Sequence, residues 1–98
     1  MAEYQIREYR VKAGKMDDFL KQWRTKIVPL RKKIGFVVIG GWMDRKDNRF
    51  IWIVGWEGAG TFEEANARYY SSPDRVEISP DPRAYLEEIK TTMMTSAM

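Results

Sequence analysis

Two short segments of the chain are apolar at nearly every position. Residues 36–43 read Phe-Val-Val-Ile-Gly-Gly-Trp-Met, and residues 50–56 read Phe-Ile-Trp-Ile-Val-Gly-Trp. A strand with one wet face alternates apolar and polar residues, whereas a strand covered on both faces does not. The pattern around them predicts six elements. Residues 4–11, rich in Tyr, Ile and Val, form a first strand that ends at Ala13-Gly14. Residues 15–34 place Met16, Phe19, Leu20, Trp23, Ile27, Leu30 and Ile34 at spacings of three and four, the stripe of an amphipathic helix. Asp17 and Asp18 fall in its first turn and Gly35 at its stop, while Pro29 predicts a kink within it. Residues 36–44 and 49–57 form the second and third strands, joined as a hairpin by the polar turn 44–48. Thr61 and Glu64 make a capping box for a second helix carrying Phe62, Ala65, Asn66 and Tyr69, which stops at Ser71-Ser72-Pro73. Residues 74–82 read as loop. Residues 86–94 read as a last strand, because the first strand otherwise keeps a bare edge; residues 95–98 read as a frayed tail.

The order β-α-β-β-α-β is the ferredoxin-like arrangement: an α+β domain with a four-stranded antiparallel sheet and both helices on one side. The whole chain, 1–98, reads as one such domain. Two helices cover one sheet face only, so the other face needs a second cover. Taken by parity, the even positions Phe36, Val38, Trp42, Phe50, Trp52, Val54 and Trp56 share one face, and the aliphatic odd positions share the other. The aliphatic set suits helix packing, which assigns the aromatic set to the open face. Leaving such rings in water would forgo several kcal/mol, comparable to the stability of a domain. The expected cover is a second copy of the chain, closing a dimeric barrel with a partly hollow core. RNA is the weaker candidate. The basic-aromatic signature of RNA-recognition domains does not match Asn48-Arg49-Phe50-Ile51-Trp52-Ile53-Val54.

Composition narrows the chemistry. The chain has 98 residues, 44% hydrophobic and 32% charged, with a net charge of +3. No apolar run reaches the ~18 residues of a membrane span, and the N-terminus enters a strand pattern directly, unlike a signal peptide. Cysteine is absent, which fits the cytoplasm and excludes disulfides and thiolate chemistry. Histidine is absent too, so neither a His-based nucleophile pair nor an imidazole metal or haem site can form. The pairs Asp17-Asp18 and Glu63-Glu64 lie in helix first turns, where the dipole explains them, so no metal site is assigned. The cluster Arg31-Lys32-Lys33 reads the same way, as cations at a helix C-terminus.

The series Tyr4-x-x-Arg7-x-Tyr9-x-x-Lys12-x-Gly14-Lys15-x-x-x-Phe19-x-x-x-Trp23 resembles the start of NIPSNAP-family proteins, which belong to the dimeric α/β-barrel superfamily. Pro29-Leu30, Gly35-Phe36, Gly41-Trp42, Trp52-x-x-x-Trp56-Glu57 and Tyr70-x-Ser72-Pro73 extend the resemblance over nearly the whole chain. It implies the fold and a homodimer. Relatives in that superfamily include cofactor-free monooxygenases, cyclases, isomerases and haem-degrading enzymes; lack of histidine separates this chain from the haem users.

The candidate site residues are Arg7 and Tyr9 on the first strand, Trp42, Trp52 and Trp56 as cavity walls, and Tyr69, Tyr70 and Arg75 at the end of the second helix. Arg7 can grip a carboxylate or phosphate, and Tyr9 can donate to a carbonyl. These residues suit a barrel cavity for a small, partly apolar, anionic or carbonyl-bearing molecule. Any chemistry there is expected to need no cofactor: oxygenation of a quinol-like substrate, isomerisation or cyclisation. The competing expectation is a non-catalytic homodimeric module with a solid barrel core.

Overall fold

The computed structural model describes residues 2–98. Its elements are β1 (Glu3–Val11), α1 (Met16–Gln22), a π-helical turn (Trp23–Ile27), α2 (Val28–Ile34), β2 (Val37–Asp44), β3 (Arg49–Trp56), α3 (Phe62–Ser71), α4 (Pro73–Val76), a 3-10 turn (Pro82–Tyr85) and β4 (Leu86–Thr95). The strands form one antiparallel sheet in the order β2-β3-β1-β4, the α+β ferredoxin-like arrangement.

Local chemistry sets the boundaries. Gly35 ends α2 in the left-handed conformation at φ 120°, which a side chain would strain. Thr61 and Glu64 close the capping box that starts α3. Pro29 does not produce a bare kink. It sits in the first turn of α2, where its missing N–H costs nothing, and the strain is taken up by the π turn just before it. There the Val28 N–H reaches back five residues to the Trp23 carbonyl. The segment expected as loop contains α4, which Ser72 caps and Pro73 opens.

The structure reverses the expected use of the two sheet faces. Phe50, Trp52, Val54 and Trp56 are buried beneath the chain's own helices. Trp23 meets the Phe50 and Trp52 rings edge to face at 5.0 and 5.7 Å, and Phe36 meets Trp56 at 5.2 Å. Flat rings that interlock edge to face fill the gap between helix and sheet as well as aliphatic chains do. The parity itself also breaks. β2 carries an extra residue between Val38 and Gly40, so Gly41 lies opposite Trp52 while Trp42 lies opposite Ile51. Gly41 gives way to Trp23: a Cβ there would stand 2.6 Å from its ring. Trp42 is turned to the opposite face and is 54% exposed. That outer face carries Tyr4, Ile6, Trp42, Ile51 and Ile53.

Candidate functional site

The inner row of β1 breaks the apolar pattern of the core. Period two places Gln5, Arg7 and Tyr9 side by side under the helices, all buried. Arg7 and Tyr9 form the floor of a cavity of about 50 Å³. Arg31 of α2 enters from above. Tyr69 and Tyr70 come from the end of α3, and the tight Ser72-Pro73 cap turns the chain so that Arg75 of α4 faces back into the same space. Trp52 forms part of the wall.

The polar contacts are specific. The Arg7 guanidinium donates from Nε to the Tyr9 hydroxyl at 2.5 Å, from Nη1 to Gln5 Oε1 at 2.7 Å and from Nη2 to the Tyr70 hydroxyl at 3.1 Å. Trp52 Nε1 also donates to the Tyr9 oxygen, at 3.0 Å. That oxygen therefore accepts twice, and among the described residues its own proton has no acceptor. Tyr9 is thus a polarised donor at the cavity floor.

Arg31 is 1% exposed. Its Nη1 donates to Asn66 Oδ1 at 2.7 Å and its guanidinium lies 3.7 Å from the Tyr69 ring centre. Among the described residues its Nε has no partner, and neither does the buried Nε of Arg75. Burial, with the like charge of Arg7 adding to it, lowers Arg31 to about 10, which leaves it charged at neutral pH. Burial pushes the Tyr69 hydroxyl up, against the pull of Arg31 and Arg75. One carboxylate faces this group. Asp81 lies 3.7 Å from Arg75 but is held chiefly by Arg83, which donates at 3.1 and 2.9 Å. Those bonds keep Asp81 well below the usual carboxylate range.

Of the residues singled out in the sequence, Arg7, Tyr9, Trp52, Tyr69, Tyr70 and Arg75 line this one cavity. It lies between the sheet and the chain's own helices, not between two sheets as expected. Trp42 is on the other face of the sheet. Trp56 packs on Phe36 and donates to the Ala59 carbonyl at 3.0 Å, away from the cavity. Sequence reasoning missed Arg31, which it read as a solvated cation at a helix end. Its position four residues after Ile27, at the margin of the apolar stripe, is the signal that separates it from Lys32 and Lys33. A wider groove of about 650 Å³ lies between the α1–α2 helices and residues 74–80, rimmed by Lys21, Lys26 and Lys33 with Asp18, Asp74 and Glu77.

The chain matches the family model described as NIPSNAP over residues 4–98. No curated protein matches it. Solved structures with the same fold include an uncharacterized NIPSNAP domain protein from Burkholderia xenovorans, at 20% identity over 97% of this chain and 94% of that one, with a TM-score of 0.82. A NIPSNAP family protein of unknown function from Agrobacterium tumefaciens superposes with a TM-score of 0.81, at 23% identity over 95% of this chain and 86% of that one. A structure titled antibiotic biosynthesis monooxygenase has a TM-score of 0.73 and 17% identity, covering 100% of both chains.

Proposed function

The chain belongs to the NIPSNAP family, and on that footing we propose that it binds a small, partly apolar molecule bearing an acid group and a carbonyl in the cavity between its sheet and helices. One observation carries this reading: three buried guanidiniums, Arg7, Arg31 and Arg75, line a single cavity whose one nearby carboxylate is already engaged by Arg83. Buried cations without counter-charge are costly, and a ligand acid group removes the cost. Tyr9 supplies the matching donor for a carbonyl or developing oxyanion, and the aromatic walls exclude water. If turnover occurs, Tyr9 polarises the carbonyl and the arginines hold the negative charge, with no cofactor in the scheme. A panel of small keto acids, read by thermal shift and then by calorimetry, tests it. Binding that Tyr9→Phe weakens supports the reading; no stabilisation by any acid-bearing compound overturns it.

The outer sheet face supports a second part of the proposal, a homodimer that packs the two sheets together. Ile6, Ile51 and Ile53 form a continuous apolar patch there beside exposed Trp42. Sedimentation equilibrium of the protein and of Ile51→Lys distinguishes the outcomes: a dimer that the variant splits supports it, and a monomer at micromolar concentration refutes it.

A further inference from the structure

We propose that the ligand of this cavity is a compact dianion, gripped by guanidiniums from both walls at once; this rests on the anion-binding reading above and narrows it. The argument is a charge count with a size limit. Arg7 reaches the cavity from the sheet, Arg31 from α2 and Arg75 from α4. All three surround Tyr70. Arg7 donates to its hydroxyl at 3.1 Å, and the Arg31 and Arg75 guanidiniums lie 5.6 and 5.2 Å from its ring centre. Each cation therefore lies within the electrostatic reach of the other two. Arg83 and Asp81 neutralise one another, so three positive charges remain. A monoanion leaves two of them buried and unmatched, whereas a dianion leaves one.

Donor geometry points the same way. The Nε groups of Arg31 and Arg75 are buried without acceptors, and the Tyr9 proton has none either. Three unmatched donors on different walls call for several acceptor oxygens on one small body. The volume of about 50 Å³ limits that body to a few heavy atoms. A phosphate group or a short dicarboxylate meets both conditions, with any apolar remainder of the molecule directed past Tyr70, which is half-exposed at the mouth.

The test is calorimetry at fixed ionic strength in chloride with phosphate, malonate and acetate as probes. Binding of phosphate or malonate at least about 100-fold tighter than acetate is the expected result. Phosphate affinity is expected to rise from about pH 6 to about pH 8 as the second proton leaves, while malonate affinity stays level. The chain has no histidine, and the bonds from Arg83 hold Asp81 well below the usual carboxylate range, so the change belongs to the ligand. Strength of phosphate over malonate identifies a phosphoryl group; the reverse identifies a dicarboxylate. Arg31→Gln is expected to cut dianion affinity more than about 10-fold while acetate changes little, and Arg75→Gln, nearer the exposed segment, provides the same readout should Arg31→Gln fold poorly. Acetate binding as tightly as the dianions overturns this proposal and leaves the anion site standing. Failure of all three probes overturns both.

Discussion

Arg31→Met is expected to make the empty protein more stable. Burial lowers the guanidinium from its ordinary range to about 10, so keeping it charged in the fold costs about 3 kcal/mol. Methionine of similar length removes that cost. Against it stand the bond to Asn66, worth about 1 kcal/mol because Asn66 is half-exposed and rehydrates, and the stacking on Tyr69, worth about 1 kcal/mol. A gain of about 1 kcal/mol remains, or roughly 4–8 °C in Tm for a domain of this size. Urea unfolding in chloride buffer without oxyanions measures it. The sign with pH follows from a folded-state value below the unfolded one. The stability is complete above the unfolded value and lost as pH falls through about 10, so the full penalty acts at neutral pH. The variant's advantage therefore shrinks as pH rises past about 10. A dianion at about 100 times its dissociation constant adds about 2.7 kcal/mol to the wild type and reverses the order. A variant less stable than wild type by more than about 1 kcal/mol in chloride would refute the reasoning, because it would mean that the buried charge is already compensated.

Other substitutions separate the two sheet faces and the cavity floor. Gly41→Ala drives a methyl to 2.6 Å from Trp23 and 2.9 Å from Phe50, inside the packed layer, and is expected to cost about 1–3 kcal/mol by denaturant melt. Gly55→Ala meets the Tyr4 ring, which is only half-buried and can swing aside, so a loss under about 1 kcal/mol is expected. Tyr9→Phe strands the Arg7 Nε and Trp52 Nε1 donors, and circular dichroism should show an intact fold that melts with about 2 kcal/mol less stability and binds anions more weakly. Asp81 is held low by its bonds from Arg83 and by Arg75, so its contribution is present above the unfolded carboxylate value and is lost as pH falls through the folded one. Asp81→Asn should flatten the acid limb of a stability-against-pH curve.

The order and type of the elements were legible because they rest on local signals: periodicity, the Thr61–Glu64 box, and Gly35 where a positive φ is needed. The final strand followed from the need to pair β1, and β4 does so along nearly its whole length. The faces were not legible for two reasons: β3 alternates as read, but its rings pack beneath the helices as well as aliphatic chains do, and the extra residue in β2 turns Trp42 to the outer face without leaving a mark in an all-apolar run. Arg7 and Tyr9 stood out as polar residues on a strand whose sheet neighbours are apolar. Arg31 did not, since its spacing from Ile27 was the one local hint, and charge alone cannot distinguish a cation in water from one packed on a ring contributed 38 residues away.

The wide turn at Trp23–Ile27 decides which way the second half of the helix faces. In an unbroken α-helix each residue advances about 100°, which would leave Arg31 on the shoulder of the apolar stripe. The π turn sets the second half of the helix back by about that one step, so Arg31 takes the most sheltered position of α2 while Ile34 is only partly buried against the core. Excising Thr25 alone would regularise the coil and swing the guanidinium out of the chamber. Whether a homologue keeps the wide turn thus predicts whether the residue at the Arg31 position stays buried.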